Sequence, residues 1–286
     1  MLTIWHGIST GAVLALVAIG FNIVYVASGT LNFAQPEFLV AGAFVSYLTT
    51  STLNWPVVMA IPIGLAVGAV IGILEERIAI RPLRAGGHGE LVTTLGWSVV
   101  MVSVILLIWG PDPLELEGFG SRTVIDFIGG RASINEFVIV ALAVATAIGF
   151  HVWLRATLAG LANLATAEDR EAATLRGINV KLLSTVAFAM GGGLLGALGP
   201  VVGPQTYAIF NLGALLVMHA FVVLTIGGYG SNLGVLVGAL AVGVTESLSA
   251  RYLGASYANL SLFVLLMGVL LLRPQGLFGM RSERVV

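Results

Sequence analysis

The chain has 286 residues, 58% hydrophobic and only 9% charged, with a net charge of −1 and a mean hydropathy of +1.01. A soluble domain carries about 25% charged residues, so this composition excludes a water-soluble fold and points to an all-α, polytopic integral membrane protein. Near-zero net charge without a basic run excludes nucleic-acid binding, and the lack of cysteine excludes disulfides, thiol catalysis and Cys-ligated metals.

The opening MLTIWHGIST holds neither Lys nor Arg. It lacks the basic n-region of a cleaved signal peptide and is expected to belong to the mature fold. Apolar stretches of about 17–25 residues mark helical spans. They fall at 7–28, 37–53, 55–74, 91–110, 136–154, 182–200, 213–230, 232–250 and 259–273. That predicts eight or nine transmembrane helices in one domain, residues 1–286, with the second or eighth stretch able to enter and leave on one side.

Basic residues set the orientation. Arg77, Arg81 and Arg84 share one loop, Arg155, Arg170, Arg176 and Lys181 another, and Arg273, Arg281 and Arg284 mark the C-terminal end. The opposite loops hold only Arg122, Arg131 and Arg251, with Asp112, Glu115, Glu117 and Asp126 in the longest, 111–135. The N-terminus is therefore expected outside. Loop 155–181 and tail 274–286 are expected in the cytoplasm.

Two stretches interrupt the apolar pattern. GTLNFAQPEFLVAGAF, Gly29–Phe44, places Asn32, Gln35 and Glu37 where lipid would be. GPVVGPQTY, Gly199–Tyr207, carries Pro200 and Pro204, which predict the end of a helix. Each break follows the first span of its half, on opposite faces if five crossings separate them. That is the pattern of an inverted repeat with discontinuous helices at a substrate path; two ordinary turns remain the alternative. Glycine recurs at every fourth residue in Gly64, Gly68 and Gly72, in Gly192 and Gly196, and in Gly234 and Gly238, a helix-packing signal.

Ionisable groups inside spans are costly and mark interiors. Glu246 either lines a cavity or pairs with Arg251, and Glu37 either lines a path or complements a helix N-terminus. His151 and His219 lack a second ligand at metal spacing and are expected to bond a neighbouring helix, as are Asn22 and Asn211. No nucleophile, base and orienting group converge, so neither enzyme chemistry nor a cofactor or metal is expected.

The loop RATLAGLANLATAEDREAATLRGINVK, Arg155–Lys181, predicts one surface helix over 167–176. Thr166 would cap it with Asp169 three residues on. Glu168, Asp169 and Glu171 would stand in the first turns, Arg176 in the last, and Gly177 at the stop. Its charges balance, so a protein groove suits it better than lipid headgroups.

Within that loop EAATLRG, Glu171–Gly177, resembles the E-A-A-x-x-x-G cytoplasmic motif of ATP-binding-cassette importer permeases, without the usual Ile-x-Leu-Pro ending. ATAEDREAATLRGIN, GYGSNLGVLVGALAVGVTESLSARYL, LLLRPQGLFG and LNFAQPE resemble, in order and over nearly the whole chain, the branched-chain amino-acid (LIV-type) permease family, and its H-type subunit more closely. The resemblance implies a permease subunit in a prokaryotic inner membrane, working by alternating access. Its implied partners are two cytoplasmic ATP-binding subunits, a second related permease, a periplasmic or extracellular substrate-binding protein, and membrane lipid. Asn32, Phe33, Gln35 and Glu37, with Glu246, become candidate path residues. Glu168, Asp169, Arg170, Glu171, Ala172, Ala173 and Gly177 become the candidate coupling surface. Gln35 and Pro36 replace the family's usual His and Gly, which leaves the cargo open among branched-chain amino acids, urea, short amides and other small acids. An ion-driven secondary carrier is the alternative, with Glu37 and Glu246 as its carboxylates.

Overall fold

A computed structural model describes residues 2–83, 89–118, 124–127 and 130–279; Arg84, Arg122, Arg281 and Arg284 lie outside them. The elements in chain order are α1 (Leu2–Ser28), α2 (Gln35–Tyr47), α3 (Val57–Glu75), α4 (Gly89–Trp109), β1 (Val124–Phe127), β2 (Gly130–Ser133), α5 (Ile134–Ala156), α6 (Leu158–Glu168), α7 (Arg170–Leu175), α8 (Val180–Thr206), α9 (Leu212–Gly227), α10 (Asn232–Tyr252) and α11 (Ala258–Leu272). Wider π turns at Leu48–Thr52 and Glu76–Ile80 prolong α2 and α3, and β1 and β2 form an antiparallel hairpin.

Among the described residues, seven helices are long and apolar enough to cross a membrane: α1, α3 with its π turn, α4, α5, α8, α10 and α11 with the turn before it. Two of the nine predicted stretches are shorter as helices: α9 has 16 residues and α2 has 13, before its π turn. Helix α1 is apolar around its whole circumference, as a helix enclosed by others must be. Its central window is 89% buried and that of α8 is 72%, against 11–33% for the rest. These two helices, with the enclosed α2, form the core; the others keep an apolar flank outward.

Small residues let these helices touch. On α3, a Cβ at Gly64, Gly68 or Gly72 would collide with the α8 backbone at Gly196, Gly192 or Phe188. On α1, a Cβ at Gly7 or Gly11 would strike the α10 backbone around Gly243 and Ala239, while Gly234 and Gly238 abut Gly227 of α9. The first helix of each half, α1 or α8, thus lies on the third helix of the other, α10 or α3.

The prolines correct one expectation. Helix α8 runs through Pro200 and Pro204 to Thr206, and the break comes at Tyr207, whose φ is +59°. Pro200 leaves the Gly196 carbonyl without its helical donor. That oxygen faces the backbones of Gly42 and Gly64 so closely that neither could carry a Cβ, an approach that supplies weak Cα–H···O contacts. Asn135 of α5 donates to the Val201 carbonyl at 2.9 Å, next to the Pro200 carbonyl that Pro204 deprives of its donor. Freed backbone groups at membrane depth are tolerated where neighbouring helices meet them in this way.

Cross-links define two faces. On one, Arg81 donates to Thr185 (2.7 Å), the Gly230 N–H to Asn22 (2.8 Å) and the Leu277 N–H to the Ile226 carbonyl (2.8 Å). On the other, Trp5 donates to Glu136 (2.7 Å), Ser247 to the Thr3 carbonyl (2.8 Å), and Leu114 bridges Ala208. Arg77, Arg81, Arg155, Arg170, Arg176, Lys181 and Arg273 sit in segments of the first face, and only Arg131 and Arg251 of the described basic residues in the second.

Candidate functional site

Helix α1 ends at Gly29, whose φ of +74° suits a residue without Cβ. The chain then turns back into the protein instead of leaving it. Asn32, Gln35 and Glu37 are at most 1% exposed, while Phe33 is half-buried. Pro36 is accommodated in the first turn of α2, where its missing N–H costs nothing.

Asn32 organises the segment. Its Oδ1 accepts the Ala34 N–H at 2.9 Å, and its Nδ2 donates to Gln35 Oε1 (3.1 Å) and to Glu75 Oε2 (2.8 Å). Glu75, at the end of α3, is wholly buried and was not among the expected site residues. The only signal for it was the acid pair in ILEERIAIRP, which sits where a span ends and reads as a loop. Glu75 Oε1 and Gln35 Nε2 are buried without hydrogen-bond partners among the described residues. Space for the Gln35 amide exists because Gly20 and Gly191 stand against it. A polar cluster this incompletely satisfied is a high-stakes element, able to gain from a second arrangement.

Glu37 lies in the first turn of α2, where an acid complements the helix dipole. Ser98 of α4 donates to its Oε1 at 3.1 Å, and its Oε2 has no partner among the described residues. Its carboxylate also packs on Gly213, in the first turn of α9, so tightly that no Cβ would fit there. The two short helices that follow the two breaks therefore begin side by side, at this carboxylate.

Glu246 is not bonded to these groups. Its Oε1 lies 3.6 Å from His219 Nε2, not beside Arg251, and His219 Nδ1 bonds the Leu215 carbonyl of its own helix at 2.9 Å. Asn22 does join helices, donating to Asn232 at 2.6 Å, whereas Asn211 is exposed at the α9 N-cap and makes no side-chain capping bond to the described residues. His151 is half-buried.

The predicted surface rod is two helices. Thr166 does not cap; its hydroxyl donates to the Ala162 carbonyl inside α6. The cap is Asp169, extended at φ −151° and ψ 105°, whose Oδ1 accepts the N–H groups of Glu171 and Ala172, each at 2.9 Å. The apolar run LAGLANLATA continues as helix α6 up to Glu168, and the chain restarts at Arg170. Gly177, φ +86°, stops α7 as expected. Ala173 is buried, whereas Glu168, Asp169, Arg170, Glu171, Ala172 and Gly177 are exposed beside Leu175, itself 90% exposed. Arg170 reaches back to α1 and donates from Nη1 to the Ser28 carbonyl at 2.7 Å.

A family model described as the permease component of branched-chain amino acid transport systems matches residues 3–273. The chain is 30% identical to the high-affinity branched-chain amino acid transport system permease protein LivH of Salmonella typhimurium, covering 96% of this chain and 94% of that protein. It is also 30% identical to the corresponding BraD of Pseudomonas aeruginosa, with the same coverage. Among solved structures, PsaBC from Streptococcus pneumoniae in complex with Fab aligns over 94% of this chain and 91% of that one, with a TM-score of 0.52 at 13% identity, a likeness of fold.

Proposed function

Because the chain belongs to the family of permease components of branched-chain amino acid transport systems, we propose that it forms half of the membrane pathway of an importer that carries branched-chain amino acids inward. The ATP would be hydrolysed on two separate cytoplasmic subunits, and a second, related permease would complete the pathway. A periplasmic or extracellular binding protein would deliver the cargo. The basic face is the cytoplasmic one by the positive-inside rule, which puts the N-terminus outside and the C-terminus inside.

The observation that carries this reading is the path from α7 to the break. The exposed turn Asp169–Leu175 offers Glu171, Ala172 and Leu175 to a docked ATPase, and Arg170 beside them holds the last carbonyl of α1. Motion of α7 would thereby reach Gly29–Ala34 and the Asn32–Gln35–Glu75 cluster behind it. Nucleotide and loaded binding protein shift the populations of inward- and outward-open states through their different contacts with each. Asn32, Gln35 and Glu37, with Glu75 and Ser98, line the path at its narrowest; Phe33 flanks it, and Glu246 stands apart with His219.

We read the fold as an inverted repeat that pairs α1–α4 with α8–α11. The reciprocal glycine contacts, α3 on α8 and α1 on α10, support it, as do the two breaks meeting at Glu37 and Gly213. Broken helices in corresponding positions are where such carriers bind cargo.

The deciding experiment replaces Glu171 and Ala172 by Lys and measures substrate-stimulated ATPase activity in the reconstituted complex. Loss of stimulation with intact assembly of the permease pair is expected. Unchanged stimulation would remove α7 from the coupling role.

A further inference from the structure

A cavity of about 340 Å³ opens on the basic face, below the break, within the roughly 300–1,000 Å³ range of small-molecule sites. It is separate from the Asn32 cluster and is walled by the ends of α1 and α3 and the starts of α4 and α8. Its chemistry is divided. On the α8 side, Lys181 forms no ion pair with any described residue. The Ser184 hydroxyl, on a residue only 3% exposed, likewise has no hydrogen-bond partner among them. These two lie three residues apart, on one side of the first turns of a 27-residue helix that begins at Val180. Spacing, charge and helix dipole there all favour an anion.

On the α4 side stands Glu90. Thr30 donates to its Oε2 at 2.8 Å, which fixes the carboxylate and leaves Oε1 open to a donor. Of the other charges, Arg81 and Glu76 neutralise each other at 2.8 Å, and Arg170 is engaged with Ser28 but keeps further N–H groups. Ile80 and Leu83 supply an apolar wall. A free cation with a buried hydroxyl, a fixed carboxylate and an apolar wall match the three parts of one ligand class.

We infer that this cavity is a second, cytoplasmic-side binding site for an apolar α-amino acid. Its carboxylate is held by Lys181 and Ser184, its ammonium by Glu90, and its side chain by Ile80 and Leu83. This rests on the amino-acid reading above and deepens it, since an uncharged amide or urea would leave both charges unanswered. The site lies where released cargo emerges, so it fills as imported amino acid accumulates.

The test uses the purified permease assembly in nanodiscs without binding protein, with tritiated L-leucine read by scintillation proximity. Lys181→Ala and Glu90→Gln are each expected to weaken leucine binding about tenfold or more, the worth of one charge-assisted hydrogen bond. Basal ATPase activity and elution profile stay unchanged. Unlabelled 4-methylpentanoate, which keeps the carboxylate and lacks the ammonium, competes weakly, and Glu90→Gln does not alter its competition. Leucine binding that is absent, or equally strong in both variants, overturns the site. Competition by 4-methylpentanoate or inorganic phosphate as strong as that by leucine overturns the amino-acid assignment in favour of a simple anion or headgroup site. Failed leucine uptake by the full transporter would instead strike the transport reading, a separate measurement.

Discussion

Arg170 donates to the carbonyl of Ser28 across 142 residues of chain, at 2.7 Å. The acceptor is one of the carbonyls that a helix end leaves without an internal partner, and the donor is the first residue of the exposed turn after Asp169. One charged hydrogen bond therefore ties a surface that can be pushed to the point where α1 gives way to the buried loop. A bond to a charged group contributes about 1.5–3 kcal/mol, or roughly ten- to a hundredfold in an equilibrium. Arg170→Ala should leave basal ATP hydrolysis in place and lower uptake per ATP by about tenfold or more; Arg170→Lys, which keeps a cationic donor, should recover part of it. An unaltered ratio of uptake to hydrolysis in Arg170→Ala would show that this contact transmits nothing.

Among the described residues, Asn32 supplies the only hydrogen bond that Glu75 receives, from within a site closed to solvent. Removing that donor leaves a buried carboxyl wholly unpartnered, at a cost of about 1–3 kcal/mol and more if it is ionised. Asn32→Ala should lower the thermal midpoint of the detergent-solubilised protein by several degrees. Replacing Glu75 by Leu in the same chain should restore part of the loss, because the stranded group is gone. Additive losses in the double variant would refute the pairing.

What could be read from the sequence divides along the reach of the causes. The end of α1 at Gly29 and of α7 at Gly177 depends on a residue that tolerates positive φ, so local chemistry disclosed both. The glycine stripes were legible as helix faces because their four-residue spacing is also local. Pro200 and Pro204 misled because what covers the Gly196 carbonyl that Pro200 frees lies far away in sequence, at Gly42 and Gly64. Glu75 escaped notice because an acid at the end of an apolar stretch looks solvated, and only the inward turn of 29–34 encloses it. Thr166 was read as the cap, with Asp169 inside the first turn; the small apolar residues before Thr166 favour more helix, which leaves Asp169 to cap the next one.

Glycine-to-alanine changes should move stability in opposite directions according to place. At Gly42 or Gly64 the new methyl meets the Gly196 carbonyl, so the α2–α8 or α3–α8 contact must open. Overpacking of this kind costs about 1–3 kcal/mol, and the freed carbonyl of the proline-bearing segment loses its cover as well. At Gly96 and Gly149, inside α4 and α5, a Cβ meets nothing within 4 Å. There alanine should stabilise by up to about 1 kcal/mol through helix propensity. Thermal melts of the four variants check the prediction, and a loss at Gly96 or Gly149 as large as at Gly64 would contradict it.

Asp169 and Thr166 offer the sharpest comparison on the proposed coupling surface. Asp169 Oδ1 satisfies two N–H groups at the start of α7, whereas the Thr166 hydroxyl only doubles a bond already made inside α6. An N-cap is worth about 1 kcal/mol, which for a six-residue helix is a large share of what holds it. Asp169→Ala should therefore speed amide hydrogen exchange at Ala173 and Arg176 by about fivefold, while Thr166→Ala leaves those amides as they were. If α7 grips the ATPase as a preformed helix, the same Asp169→Ala change should weaken assembly with the nucleotide-binding subunits, and Asp169→Asn, which retains the accepting oxygen, should restore it. Faster exchange in Thr166→Ala than in Asp169→Ala would return the cap to Thr166 and merge the two helices into one.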